Sequence, residues 1–521
     1  MPPRYRAVAA EMFELFKTSW EPVRDDVEYE VILGHSESVR RAGRRLTIVT
    51  GGPGEIDTSW GVSRAPLRPP ARIDALGIDV DLQYPWLPVG LQGEAFVWRD
   101  RGRLRLGYDL FAEIEALLTT GQSRATALNA NTGRHLEIVR QAMLAAGIPI
   151  VEVDAAPAGT VITVALTHDV DFARLRNHVC DRTAAGFVYR ATVATLIEFL
   201  RGGTSLRRAG RNLAAALKLP FVYLGWARDP WSCFARYAAL EQRWRSTFFV
   251  IPRRDDPGRR APDGGVDGQR ACRYQASEVA EDLHQLTNAG FEIGLHGIDA
   301  WNDATAATAE RAAIQAASNA NASGVRMHWL YLTPQTYAVL ESAGFDYDST
   351  VGFNDAVGFR AGTGQAFRPL GVEQLIELPL IVQDTALFLA RRMHLDEEEA
   401  FQLCKRIIAE ARSFGCGLAV LWHLRSLAPE RCWDGFYARL LAHLDSEGAW
   451  MAPAAEVVSF YRQRRSIRLD ASVADGVLTV RPEPAGDIDA RLTLRARLAD
   501  GTRTVLRLPL AQASFALAAP E

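Results

Sequence analysis

Residues 161–175, VITVALTHDVDFARL, open on a β-branched apolar run and end, within five residues, in Thr167, His168, Asp169, Val170 and Asp171. A short continuous apolar run of this kind reads as a strand buried on both faces, the habit of parallel sheets. Asp and His are poor strand formers, and charges are seldom buried without partners. The stretch therefore reads as a buried strand that either simply surfaces at its C-terminal end or ends in a site. Two residues apart in a strand, Asp169 and Asp171 share one face.

Downstream the pattern repeats. STFFVIP (246–252), FEIGLH (291–296), GVRMHWL (324–330), FDYDST (345–350), QLIELPLIV (374–382) and GLAVLWH (417–423) read as strands. Helical patterns alternate with them, among them 229–244, 276–290, 307–320, 333–344, 397–414 and 436–448. Such alternation predicts parallel strands covered by helices, in a doubly wound sheet or a barrel. The polar residues decide for a barrel. Asp169, Asp171, His296, Arg326, His328, Asp348 and His423 all fall at or just past strand C-terminal ends, the rim where barrels build active sites. The expected fold class is α/β, a distorted (β/α) barrel over residues 159–464.

Residues 1–158 mix strand-like runs at 29–33, 46–49 and 96–98 with two helical patterns, and read as an α/β domain of their own. Within them RAPLRPPARI (64–73) looks like an irregular connection. After about Gln463 short alternating runs, punctuated by Gly476, Gly486 and Gly501, predict a small β module over 465–521. Between the first barrel strand and its helix lies an insertion, about 172–228, rich in arginine and carrying apolar helical patterns. It reads as a helical hairpin over the rim, or as a basic amphipathic segment for an anionic surface.

The 521 residues are 48% hydrophobic and 23% charged with a net charge of -3, which excludes a general affinity for nucleic acid. Six cysteines form no C-x-x-C pair, so neither a zinc ribbon nor a disulfide framework is expected. No run approaches the ~20 apolar residues of a membrane span, and the N-terminal 22 residues read as an amphipathic helix rather than a leader. The expectation is a cytoplasmic protein with peripheral contact to the inner face of the membrane through the 172–228 insertion.

Taken together, the motifs resemble the polysaccharide deacetylases of NodB homology type, carbohydrate esterase family four, over about 161–464. THDVD is similar to the family's T-x-D-x-D motif, which implies Asp169 as catalytic base and Asp171 as metal ligand. FEIGLHG resembles the strand leading to the family's histidine motif and implies His296 as a second ligand. GVRMH stands where the family carries an arginine that orients the base, here Arg326. ELPLIVQD is similar to the stretch that supplies an Asp near that arginine, here Asp384, and LAVLWH to the last motif, whose His423 would be the general acid. The family's H-x-x-x-H is broken, with Ala300 in the second histidine position. The third ligand is then His328 or Asp299; imidazole suits zinc, and the strand end should aim His328 inward. The Gly-rich loop FNDAVGFRAGTGQAF (353–367) is the expected sugar contact, with Phe359, Arg360 and Thr363 as substrate-binding candidates.

The resemblance implies a metal-dependent hydrolase, zinc being the expected ion, that removes N-acetyl groups from an amino sugar in a polysaccharide or glycan precursor. Two rivals stand beside it: a catalytically weak or inactive relative that binds glycan, and an amidohydrolase acting on a small non-sugar amide.

Overall fold

The computed structural model describes residues 2–66, 72–83, 89–91, 96–259, 270–484, 488–499 and 505–518. Its central sheet has nine parallel strands: β1 (Ile162–Val170), β2 (Thr247–Val250), β3 (Glu292–Gly297), β4 (Gly324–Met327), β5 (Tyr347–Asp348), β6 (Ile376–Glu377), β7 (Leu380–Gln383), β8 (Leu418–Leu421) and β9 (Ala449–Ala452). The order is β6-β5-β4-β3-β2-β1-β8-β7. β9 pairs with the start of β1, along Ile162–Ala165, and β2 with its end, along Thr167–Val170. The sheet thus curls around β1, whose nine residues are all buried.

How far it curls follows from its two edges. QLIELPLIV, expected as one strand, is two: the run breaks at Leu378-Pro379, and the halves are the opposite edges of the sheet. A proline cannot donate to a ladder, which accounts for the break there. Eight strands laid flat at about 4.8 Å would span about 34 Å, yet β6 and β7 are joined by a chain that reaches only about 10 Å. The sheet must roll until its edges nearly meet, a barrel left open between β6 and β7. Helices between the strands cover it, including Ala304–Ser318, Glu397–Phe414 and Asp434–Ser446.

Inside the roll, side chains are fitted against missing ones. At Gly324 an added Cβ would lie 2.0 Å from the Tyr347 ring, so only glycine admits that buried tyrosine. The Tyr347 hydroxyl donates to Glu292.

In the N-terminal region three parallel strands, Val31–His35, Leu46–Thr50 and Arg103–Leu106, and an antiparallel one, Val97–Asp100, form a separate sheet. Short strands occupy Arg64–Pro66 and Arg72–Ala75 at the ends of the expected irregular connection, whose middle, 67–71, lies outside the described residues. Ile150–Val153 leaves this region to pair antiparallel with Thr493–Arg497, so a strand from before the barrel belongs to a sheet of the C-terminal module. Gly486 and Gly501, expected turns of that module, lie outside the described residues. The insertion is helical, at Arg182–Tyr189, Thr195–Leu200, Leu206–Leu217 and Leu219–Tyr223. Among the described residues no helix is long and apolar enough to cross a membrane.

Candidate active site and metal centre

The strand ends of β1, β3, β4 and β8 converge on one cavity of about 170 Å³. Period-two alternation puts Thr167, Asp169 and Asp171 on its side of β1, while His168, between them, faces away. His168 is fully buried, contacting the Trp422 carbonyl at 2.8 Å and Glu241 at 3.0 Å.

Asp169 is buried and takes a hydrogen bond from Arg326 Nη1 at 3.0 Å. Arg326 sits in β4 next to His296 in β3, in direct register. Its guanidinium lies over the Phe249 ring at 4.6 Å and donates to Thr167 Oγ1, the Ser349 carbonyl and Ser349 Oγ, at 2.8–2.9 Å. Hydrogen bonds to these fixed groups leave the guanidinium little freedom to turn, so it holds Asp169 in one orientation.

His296 contacts the Arg326 carbonyl through Nδ1 at 2.9 Å and approaches Asp171 Oδ1 through Nε2 at 3.2 Å. A ring nitrogen anchored to a carbonyl, with the other facing a carboxylate, is how metal-binding histidines are held. His328 comes from the turn that follows β4; its ring centre lies 4.9 Å from that of His296 and its Nε2 3.7 Å from Asp171 Oδ1. Trp329 and Leu330, directly after it, both have positive φ, of 65° and 55°, a strained conformation for bulky side chains. The Asn354 amide donates to the Trp329 carbonyl and braces that turn.

Asp171, His296 and His328 present one ligand atom each within 4.8 Å of one another. Two polar atoms here are buried without a hydrogen-bond partner, Asp171 Oδ1 and His328 Nδ1. Buried unpaired polar atoms are costly, and a set of one carboxylate and two imidazoles suits a divalent ion such as zinc. These residues therefore fit a metal. Burial alone would raise the Asp171 carboxyl, but the neighbouring His328, His296 and His423 outweigh it and hold the group well below the usual carboxylate range. Burial drives the His328 imidazole down to about 3, the neutral form a ligand needs. Asp299, the other candidate third ligand, instead accepts the Arg259 N–H, and Ala300 is buried in the hydrophobic core.

His423, just past β8, faces the same cavity, with Nε2 3.6 Å from Asp171 Oδ2. Here the structure corrects the expectation for Asp384. That carboxylate does not anchor Arg326; it is bound to His423, taking its Nδ1 at 2.6 Å and its backbone N–H at 2.7 Å, with Ser426 Oγ and the Thr385 N–H donating as well. The reason is topological, because β7, which ends at Gln383, is the neighbour of β8 and lies far across the sheet order from β4. Burial works against the charge on both partners, yet their mutual attraction prevails: the His423 imidazole is raised and the Asp384 carboxyl lowered.

The expected substrate contacts also need correction. Phe359 is buried in the core, Arg360 turns to the Gly352 carbonyl, and buried Thr363 sits by Cys416. None lines the cavity, because the 353–367 loop docks on the N-terminal region, where Phe359 N–H donates to the Ala127 carbonyl and Thr132 bonds to residues 361 and 362. The lining is instead completed by Phe172, Trp329, Asn354, Gln383, Thr385, Arg392, Arg425 and Arg431 among others. Proximity to a motif was the only available signal: Gln383 and Thr385 flank Asp384, and Arg425 is two residues past His423.

No family model matches the chain, and no curated protein matches it. Solved structures do. A putative polysaccharide deacetylase from Mycobacterium smegmatis is 18% identical, over 62% of this chain and 99% of its own, with a TM-score of 0.37. A probable polysaccharide deacetylase from Pseudomonas aeruginosa PAO1 is 14% identical over 59% and 92%, with a TM-score of 0.34. A CE4 family pseudoenzyme from Bacillus anthracis is 12% identical over 58% and 66%, with a TM-score of 0.27.

Proposed function

We propose that the chain is a metal-dependent N-deacetylase acting on an acetylated amino sugar. The observation that carries the reading is one cavity lined by an oriented carboxylate, a three-residue metal set and a carboxylate-backed imidazole. The ordered motifs that resemble NodB-type deacetylases support it from the sequence side.

Asp171, His296 and His328 would hold the ion, which when bound polarises an acyl carbonyl and acidifies water. Asp169, fixed by Arg326, takes the proton of the attacking water as its oxygen bonds to the acyl carbon. His423, kept protonated by Asp384, gives its Nε2 proton to the amide nitrogen as the C–N bond breaks, since an amine anion is a poor leaving group. The products are acetate and a free amino group. Arg326, Asp384, Ser349 and Ser426 touch no reacting atom; they limit the rotations of the two groups that move protons.

The test is acetate release from N-acetylglucosamine oligomers and from non-sugar N-acetyl amides. It uses chelator-treated protein reloaded with zinc or cobalt, with Asp169→Asn as control. Metal-dependent release from the oligomers, lost in the control, is expected. Release from the non-sugar amides alone reassigns the substrate, and metal binding with no release above the control leaves a glycan-binding pseudoenzyme.

A further inference from the structure

Three guanidinium groups, those of Arg392, Arg425 and Arg431, line the same cavity. Arg425 is almost wholly buried, stacked on Trp231 at 3.7 Å; its Nε pairs with Glu430 at 2.9 Å, while its Nη2 is buried without a partner. Arg392 donates only to neutral groups, Thr385 Oγ1 at 2.6 Å and Gln383 Oε1 at 3.4 Å, and Arg431 leans on the Trp433 ring. Among the described residues neither of these two is in an ion pair. Of the cavity's own carboxylates, Asp169 is bound to Arg326 and Asp171 faces three histidines, and neither is in an ion pair with these arginines. Burial depresses Arg392, against the pull of Asp384, Asp171 and Asp355, and brings Arg425 down to about 9, against Glu430; the charge of Arg431 adds to the depression of both. Gathering like charges in a low-dielectric pocket is unfavourable unless an anion completes it.

We propose that this arginine wall is a subsite for an anionic group, phosphate or carboxylate, carried by the substrate beside its N-acetyl group. The inference rests on the N-deacetylase reading and narrows its substrate class. Guanidinium forks suit both anions because they match their oxygens in pairs.

The experiment is calorimetric titration of the zinc-loaded full chain with N-acetylglucosamine, its 1-phosphate, the corresponding N-acetylated uronate and inorganic phosphate. A charged sugar should bind at least about ten-fold tighter than the neutral one, and Arg431→Gln or Arg392→Gln should remove most of that difference while neutral-sugar binding persists. The ranking of phosphate against uronate separates the two anions. Equal binding of charged and neutral sugars, or no binding of any anion, overturns the subsite. Anion preference without acetate release from any ligand keeps the subsite and sinks the deacetylase reading; deacetylation of neutral sugars without anion preference does the reverse.

The insertion carries an independent feature. Of the nineteen large apolar side chains exposed among the described residues, thirteen lie within 182–226, so the exposure is a patch rather than scatter. Leu200, Leu206, Leu217 and Trp226 are each at least three-quarters exposed. On the helix Leu206–Leu217, Leu206, Leu213 and Leu217 share one face; Arg207 and Arg211, with Lys218 just past its end, share the next, and Ala209 and Asn212 are buried on the third. Residues 182–226 hold seven basic side chains against Glu198 alone; Arg208 and Arg211 are paired with Glu397 and Asp434 from other segments, and among the described residues Arg207 and Lys218 are in no ion pair.

We infer that this patch docks on an anionic lipid surface, its apolar side chains at the acyl boundary and Arg207 and Lys218 among the headgroups. Full-length protein should sediment with phosphatidylglycerol-containing vesicles at low salt and weakly with phosphatidylcholine alone. The pairs Leu200→Asp with Leu217→Asp and Arg207→Glu with Lys218→Glu should each lower binding at least about ten-fold, with circular dichroism confirming the fold. Protein left in the supernatant with anionic vesicles overturns the inference. Concentration-dependent dimers that the leucine pair abolishes would assign the face to a second copy instead.

Discussion

Replacing Asp384 by Asn should cripple the chemical step while leaving the cavity intact. The carboxylate is fully buried and its two oxygens meet four donors: His423 Nδ1, the His423 and Thr385 backbone N–H groups and Ser426 Oγ. An amide has one acceptor oxygen, so whichever way the new asparagine is turned its NH2 opposes donors. With the NH2 toward His423, Nδ1 must give up its proton, and the ring becomes a neutral Nε2–H tautomer that is a far weaker acid than imidazolium. A hydrogen bond to a charged group is worth about 1.5–3 kcal/mol, so kcat should fall roughly 10- to 150-fold. Ser426→Ala removes one donor from the same carboxylate but leaves both its charge and the His423 Nδ1 proton, so it should cost less than Asp384→Asn. The assay is steady-state acetate release, with 15N NMR of the His423 ring reporting the tautomer and thermal unfolding checking the fold. A folded Asp384→Asn enzyme that loses no more than Ser426→Ala, or whose whole defect is in KM with an unchanged ring spectrum, would refute the reasoning.

His328→Ala and His296→Ala should each weaken zinc binding by well over the 10- to 100-fold typical of residues that only support a ligand, while Asp299→Ala leaves it unchanged; calorimetry decides. Glu310, which caps the Ile298 and Asp299 N–H groups, is raised by burial from 4.5 to about 7. Its folded form keeps a proton that the unfolded chain releases across that window, so stability should fall as pH rises from about 4.5 to 7, by roughly 3 kcal/mol at most. Glu310→Gln should flatten that part of the pH–stability curve, and an unaltered slope in chemical denaturation would count against it. Gly324→Ala should destabilise by about 1–3 kcal/mol, read as a lower Tm, since its Cβ would meet the Tyr347 ring.

Much of the fold was legible locally. A strand end rich in Asp and a helix ended by glycine are patterns within one segment, and they put β1 to β4 and β8 at the expected places with Asp169, Asp171, His296, Arg326, His328 and His423 at their tips. What lay beyond reach depends on which distant segments become neighbours. QLIELPLIV read as one strand because its apolar run is continuous; only closure of the sheet shows that its halves serve opposite edges. Asp384 meets His423 rather than Arg326 because strand order, not sequence order, sets its neighbour. Phe359 and Arg360 looked like sugar contacts, and packing on the N-terminal region took them away from the cavity. Periodicities a few residues long were enough to give the alternation of strands and helices and the chemistry waiting at the strand ends. Which group holds Asp169 and which backs His423, whether His328 or Asp299 completes the metal set, and the meeting of three arginines in one pocket are matters of register and closure between segments far apart in the chain, and no local pattern carries them.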